Sequence, residues 1–130
     1  MKKFWLVLII GILLNTSYIS ARFIATYYAK LGVMDHFNSR GKRLTSAAAI
    51  IRQDRYNFHV RGIRDPQDTW DPFFDSKRNR AILESLLRRG NATWSALNAI
   101  VSGTPIIKVN IYSDHINVKV IRNRPLSTIE

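Results

Sequence analysis

The chain has 130 residues, with 20 Lys and Arg against nine Asp and Glu, a net charge of +11 and no cysteine. Its length fits one domain with a sizeable core. The lack of cysteine excludes disulfides, thiol catalysis and thiolate metal sites, and leaves the fold to be held by its core alone.

Met1-Lys2-Lys3 carries positive charge, Phe4–Leu14 is an uninterrupted apolar run of eleven residues, and a short polar stretch ends in Ile19-Ser20-Ala21. Charge, apolar core and small-residue exit, in that order, make up a secretory signal peptide. Eleven residues fall short of the roughly 20 that span a bilayer core, which favours cleavage after Ala21. Read as one piece, however, Phe4–Ala21 holds eighteen uncharged residues. An uncleaved anchor with its positive end in the cytoplasm is therefore the competing reading. Both readings place the chain outside the cytoplasm, periplasmic or secreted, or held at the inner membrane through residues 4–21. The expected organisation is a signal peptide or anchor at 1–21, a single α+β domain at 22–122 and a flexible tail at 123–130.

Without residues 1–21 the chain keeps 18 basic residues, thirteen of them Arg, and all nine acidic ones. Arginine is the better bidentate partner for phosphate and carboxylate. Such a surface attracts anions. Export disfavours nucleic acid and points instead to an envelope anion or a protein partner. The bland alternative is charge that serves only solubility.

Phe23, Tyr27, Leu31 and Met34 recur at helical spacing, so an amphipathic helix is expected over 23–37, with Gly32 as a weak point. Asn38-Ser39-Arg40-Gly41 reads as a turn. A second helix is expected over 46–59, capped by Thr45 or Ser46, propagated by Ala47-Ala48-Ala49 and ended near Gly62. Residues 63–75 form an acidic, irregular segment broken by Pro66 and Pro72, anchored by Trp70, Phe73 and Phe74. A third helix is expected over 76–89, with Ala81, Ile82, Leu83, Leu86 and Leu87 on its apolar face and Gly90 at its end. A fourth covers 93–101. The period then becomes two: Ile107, Val109 and Ile111, and Ile116, Val118 and Val120, alternate with polar residues around Ser113-Asp114-His115, a β-hairpin. A lone hairpin is marginal in water, so it must pack on the helices. The expected fold is α+β: three to four helices against a C-terminal antiparallel β-hairpin.

The densest polar cluster is Arg52, Asp54, Arg55 and His59, followed by Arg64 and Asp65. On a helix, Arg52 and Arg55 are three apart and can flank one anion together with His59, offering it two guanidinium forks and one imidazole. These six residues are the candidate ligand site, with Asp54 and Asp65 as organisers. The architectural alternative is that the charges pair among themselves. If the protein were an enzyme, His59 would be the general base, with Arg55 in support, in a phosphodiesterase or nuclease. Asp65, Asp68, Asp71 and Asp75 lack the glycine and alternate spacing of a calcium loop, and no metal or cofactor is expected. No nucleophile elbow or phosphate-cradling loop occurs. The sequence thus favours a small exported, basic, non-enzymatic binding or envelope-accessory protein. The alternatives are the His59 hydrolase and a membrane-anchored interaction protein that pairs through its hairpin edge.

Overall fold

The structure, a computed structural model, describes residues 2–4 and 20–124. Most of the signal segment and the end of the tail therefore lie outside the described residues. Among those described, four helices pack on a three-stranded antiparallel sheet, an α+β arrangement. Its elements are β1 (Phe23–Lys30), α1 (Ala47–Tyr56), α2 (Lys77–Ala81), α3 (Leu83–Arg89), α4 (Trp94–Ser102), β2 (Ile106–Tyr112) and β3 (Ile116–Arg122). A 3-10 turn covers Val33–His36, and a π turn, Asn57–Arg61, extends α1. No described helix is long and apolar enough to cross a membrane.

The helix expected over 23–37 is not formed. Phe23–Lys30 is a strand, and only the 3-10 turn after Gly32 is helical. Three of the four residues that suggested a helix, Phe23, Tyr27 and Leu31, also satisfy a period of two. Tyr27, Ala29 and Leu31 are fully buried, while Thr26, Tyr28 and Lys30 lie between them and are half-buried or exposed. Aromatic and β-branched side chains suit a pleated surface, and pairing with β2 decides the outcome. The hairpin sits where expected, but β2 is the central strand, in the order β1-β2-β3. Its register builds inward rows, Ala29-Ile107-Val120 and Tyr27-Val109-Val118. Two outward rows, Thr26-Asn110-Asn117 and Tyr28-Lys108-Lys119, face away from the core.

Helix α1 begins where Ser46 accepts the Ala49 N–H, and buries Ala47, Ile50 and Ile51 against α3, α4 and the sheet. It ends through the π turn, where the Asn57 carbonyl accepts the N–H groups of Gly62 and Ile63 and Gly62 adopts φ 67°. The segment expected as one helix over 76–89 is two. Ile82 leaves helical geometry at φ −97°, ψ 9°. In one straight helix Ile82 and Leu86 would share a face; the break leaves Ile82 exposed and buries Leu83, Leu86 and Leu87.

Both edges of the sheet are occupied. On β1, the Tyr28 N–H donates to Thr69 Oγ1 and the Lys30 N–H to Asp68 Oδ1, so the acidic segment seals that side. On β3, the Val118 N–H donates to the Asn91 carbonyl at 2.9 Å. Such coverage blunts edge-to-edge pairing. Residues 123 and 124 do not hang free: the Arg124 carbonyl accepts both the N–H and the hydroxyl of Thr104.

The crossing at β3 depends on Gly90. A Cβ there would lie 1.7 Å from the Ile116 carbonyl oxygen, a backbone atom that cannot swing aside. Gly90→Ala is expected to cost roughly 3 kcal/mol or more in urea unfolding. Gly41→Ala, at φ 77° with open space around it, should cost only about 1 kcal/mol.

Candidate functional site

The six candidate residues do not form one open site. Asp54 and Arg55 point inward. Arg55 Nε donates to Asp54 Oδ2 at 2.8 Å, and Nη1 donates to Asp71 Oδ1 at 3.0 Å and to the Thr69 carbonyl at 3.1 Å. The guanidinium lies between two rings, 4.0 Å from the Tyr27 centroid and 4.5 Å from that of Phe58. Arg55 Nη2 and Tyr27 Oη have no hydrogen-bond partner, and the two ring faces add cation–π attraction to the carboxylates that pair the Arg55 charge. Phe58 is stacked on its other side by Arg64, whose carbon lies 4.3 Å from the centroid and whose Nε donates to the Phe58 carbonyl.

His59 joins this knot rather than solvent. Its side chain is 5% exposed and its Nε2 lies 2.8 Å from Asp71 Oδ1. Asp71, one of the four aspartates of the irregular acidic segment, is the hub. It accepts the N–H groups of Phe73 and Phe74 as well as Arg55 and His59. Burial pushes its carboxyl up, but these donors outweigh burial and hold it below the usual carboxylate range. Burial dominates at Asp54 and pushes that carboxyl up, with Arg55 pulling against it. Burial also works against the Arg55 charge, yet Asp54 and its other neighbours raise its pKa above the ordinary value. Asp65 sits half-buried in the loop, where its N–H donates to Asp68 Oδ2. The expected oxyanion grip of Arg52, Arg55 and His59 is therefore not assembled: two of the three are consumed by internal pairs, and Arg52 alone faces out. Arg55→Met should cost about 3–5 kcal/mol in denaturant unfolding by leaving buried Asp54 without its cation and taking one donor from Asp71. Arg52→Met should stay within about 0.5 kcal/mol.

A second buried polar group pins the 3-10 turn. Asp35 accepts Asn57 Nδ2 at 2.9 Å and the Gly32 N–H at 3.0 Å. Both nitrogens of buried His36 face carbonyl oxygens, Gly32 at 2.7 Å and Ile100 at 2.8 Å. Burial raises the Asp35 pKa from 3.8 to about 6, against the lowering effect of its Asn57 and Gly32 hydrogen bonds. The folded chain thus holds this proton over a window, about pH 4 to 6, where the unfolded chain releases it. Its contribution to stability is complete below pH 4 and is lost as pH rises through 6. Relative to Asp35→Asn, the wild type should lose up to ~3 kcal/mol between pH 4 and 7, read by urea unfolding at each pH.

Two clefts open on the surface. One, of about 550 Å³, lies between α1, α2 and the 39–44 loop. Arg52, Lys77 and Arg80 line it with Gln53 and Tyr56, over an apolar floor of Leu44, Ala49 and Val60. No carboxylate lines it. Arg80 is 6% exposed, and its Nη1 donates to the Phe74 and Asp75 carbonyls. No described carboxylate lies within 4 Å of it. A guanidinium this buried is normally paired. The second, of about 850 Å³, follows β3 past the start of α4 and shares no residue with the first. His59, Arg55 and Arg64 line neither.

The acidic segment spreads its carboxylates rather than gathering them. Asp68 binds backbone N–H groups of Lys30 and Asp65, Asp71 binds Arg55, and Asp75 is exposed. Among the described residues no group of three His, Asp or Glu is placed to hold a metal ion. His115 stacks on Tyr112 at 4.5 Å and its Nδ1 meets Asp114, which fixes the hairpin tip. Comparison of the chain with protein families, curated proteins and solved structures finds no match in any of the three.

Proposed function

We propose that this is an exported, non-enzymatic accessory module that binds an anionic group in the cleft between α1 and α2. The observation that carries this reading is the cleft's lining: three cations, one of them the buried Arg80 without a carboxylate, and no acidic residue. The distribution of charge supports it. Between residues 22 and 124, thirteen Lys and Arg are exposed, whereas only Asp75, Glu84 and Asp114 are exposed among the acidic residues. The remaining carboxylates are turned inward, so the exterior is more one-signed than the composition implies, and it draws anions. The apolar floor suits a phosphate or carboxylate that carries a hydrocarbon substituent, free or as a lipid head group. Arg52 keeps the ligand role expected for it. Asp54 and Arg55, on the buried side of α1, and His59, in the π turn that extends it, act as the scaffold behind it. The hydrolase reading draws only on the His59–Asp71 pair, which faces no cleft described above.

The test is co-flotation with vesicles of phosphatidylglycerol and phosphatidylcholine against vesicles of phosphatidylcholine alone, beside titration with inorganic phosphate. Binding to the anionic vesicles is expected. An Arg52→Gln/Lys77→Gln variant should lose roughly thirtyfold, at ~1 kcal/mol for each surface cation. Binding of inorganic phosphate at equal strength assigns the site to the free anion, and weaker binding assigns it to the head group. The proposal is overturned if the double variant binds like the wild type, or if neither probe binds. EDTA-resistant cleavage of RNA that is lost in His59→Ala would also overturn it.

A further inference from the structure

The groove along β3 has a chemistry of its own. Its floor is the outward face of the hairpin, where the register sets Lys108 directly opposite Lys119, and Asn110 opposite Asn117. Like charges in direct opposition on one face repel, and no described carboxylate lies within 4 Å of either lysine. The two amides are not neutral in their hydrogen bonding. Asn117 Oδ1 accepts the Asn91 N–H at 2.8 Å. A backbone N–H only donates, so this bond fixes the amide orientation and leaves Nδ2 as the free end. Asn110 Oδ1 accepts the Thr26 hydroxyl at 2.7 Å, which leaves its Nδ2 without a partner, although a hydroxyl does not by itself fix the amide orientation. The groups on this floor with no partner are thus two ammoniums and two amide NH2 groups, all donors, beside the one lone pair that each amide oxygen keeps.

The opposite wall is the start of α4, where Thr93 and Ser95 line the groove. Trp94, between them in the chain, does not itself line the groove but is 80% exposed, the most exposed aromatic residue among residues 20–124. At about 850 Å³ the groove is much larger than a single oxyanion needs. Donors on the floor call for a ligand rich in acceptor oxygens, the opposed lysines call for a negative charge between them, and a bare indole offers a flat face to the C–H surface of a sugar ring.

We propose that this groove binds an acidic oligosaccharide, with its carboxylate, sulfate or phosphate between Lys108 and Lys119, its hydroxyls on Asn110 and Asn117, and one ring extending past the groove to Trp94. The site is independent of the cleft between α1 and α2.

The experiment is a 1H–15N titration of the labelled protein with a heparin-derived hexasaccharide, with maltohexaose as the neutral control and inorganic phosphate as the bare anion. The hexasaccharide is expected to shift the side-chain amides of Asn110 and Asn117 and the Trp94 indole. Lys108→Gln/Lys119→Gln should weaken it about tenfold or more, with an unchanged or higher Tm because a repulsion is removed. Trp94→Ala, at an exposed position, should weaken it about threefold. The proposal is overturned if maltohexaose or inorganic phosphate binds as tightly as the hexasaccharide. It is equally overturned if the shifts fall only on Arg52, Gln53 and Lys77, or if no shift occurs. Those outcomes are separate from the vesicle test, because Arg52→Gln/Lys77→Gln leaves the groove intact.

Discussion

The guanidinium of Arg55 is the constraint on which the rest of the domain depends. It lies between the rings of Tyr27 and Phe58 and binds Asp54 and Asp71. Those contacts tie together β1, α1, the π turn and the acidic segment. A buried ion pair of this kind gains little over an apolar substitute, but it is costly to break on one side. Its value here is positional. Asp71 holds the 63–75 segment against α1, and the same segment supplies Asp68 and Thr69 to the edge of β1.

That arrangement explains the exterior. A chain with nine acidic residues puts Asp35, Asp54 and Asp71 inside and half-buries Asp65 and Asp68. Interior duty for carboxylates leaves arginine and lysine unopposed outside. Two surface features, the cleft beside Arg80 and the hairpin groove, lack acidic residues for this same reason.

Much of this was legible in the sequence. Helix α4 and the hairpin follow directly from their periodicity, and the Ser46 cap and the Ala-rich start mark α1. The N-terminal strand was not legible, because Phe23, Tyr27 and Leu31 fit a spacing of four as well as a spacing of two. Only the partner strand, some 80 residues later, distinguishes them. The candidate cluster failed for a related reason. Arg52 and Arg55 are neighbours around a helix, yet the edge of the buried face falls between them. What covers Arg55 is the 69–71 segment, and no local pattern on α1 reports it. The signal for Asp71 was present in its place before Pro72, but it pointed to a turn. The carboxylate serves that turn through the Phe73 and Phe74 N–H groups and serves the ion pair as well.

The sheet also sets an order of events. Its first strand is made at residues 23–30, but Ala25 pairs with Ile111 and Ala29 with Ile107. Closing so long a loop is slow compared with forming a helix or a hairpin. While the chain is being synthesised, β1 has no partner until nearly all of it has emerged. A chain of this design cannot assemble its sheet until almost its whole length has been made. Such a chain can be threaded through a narrow translocation pore without first being pulled apart.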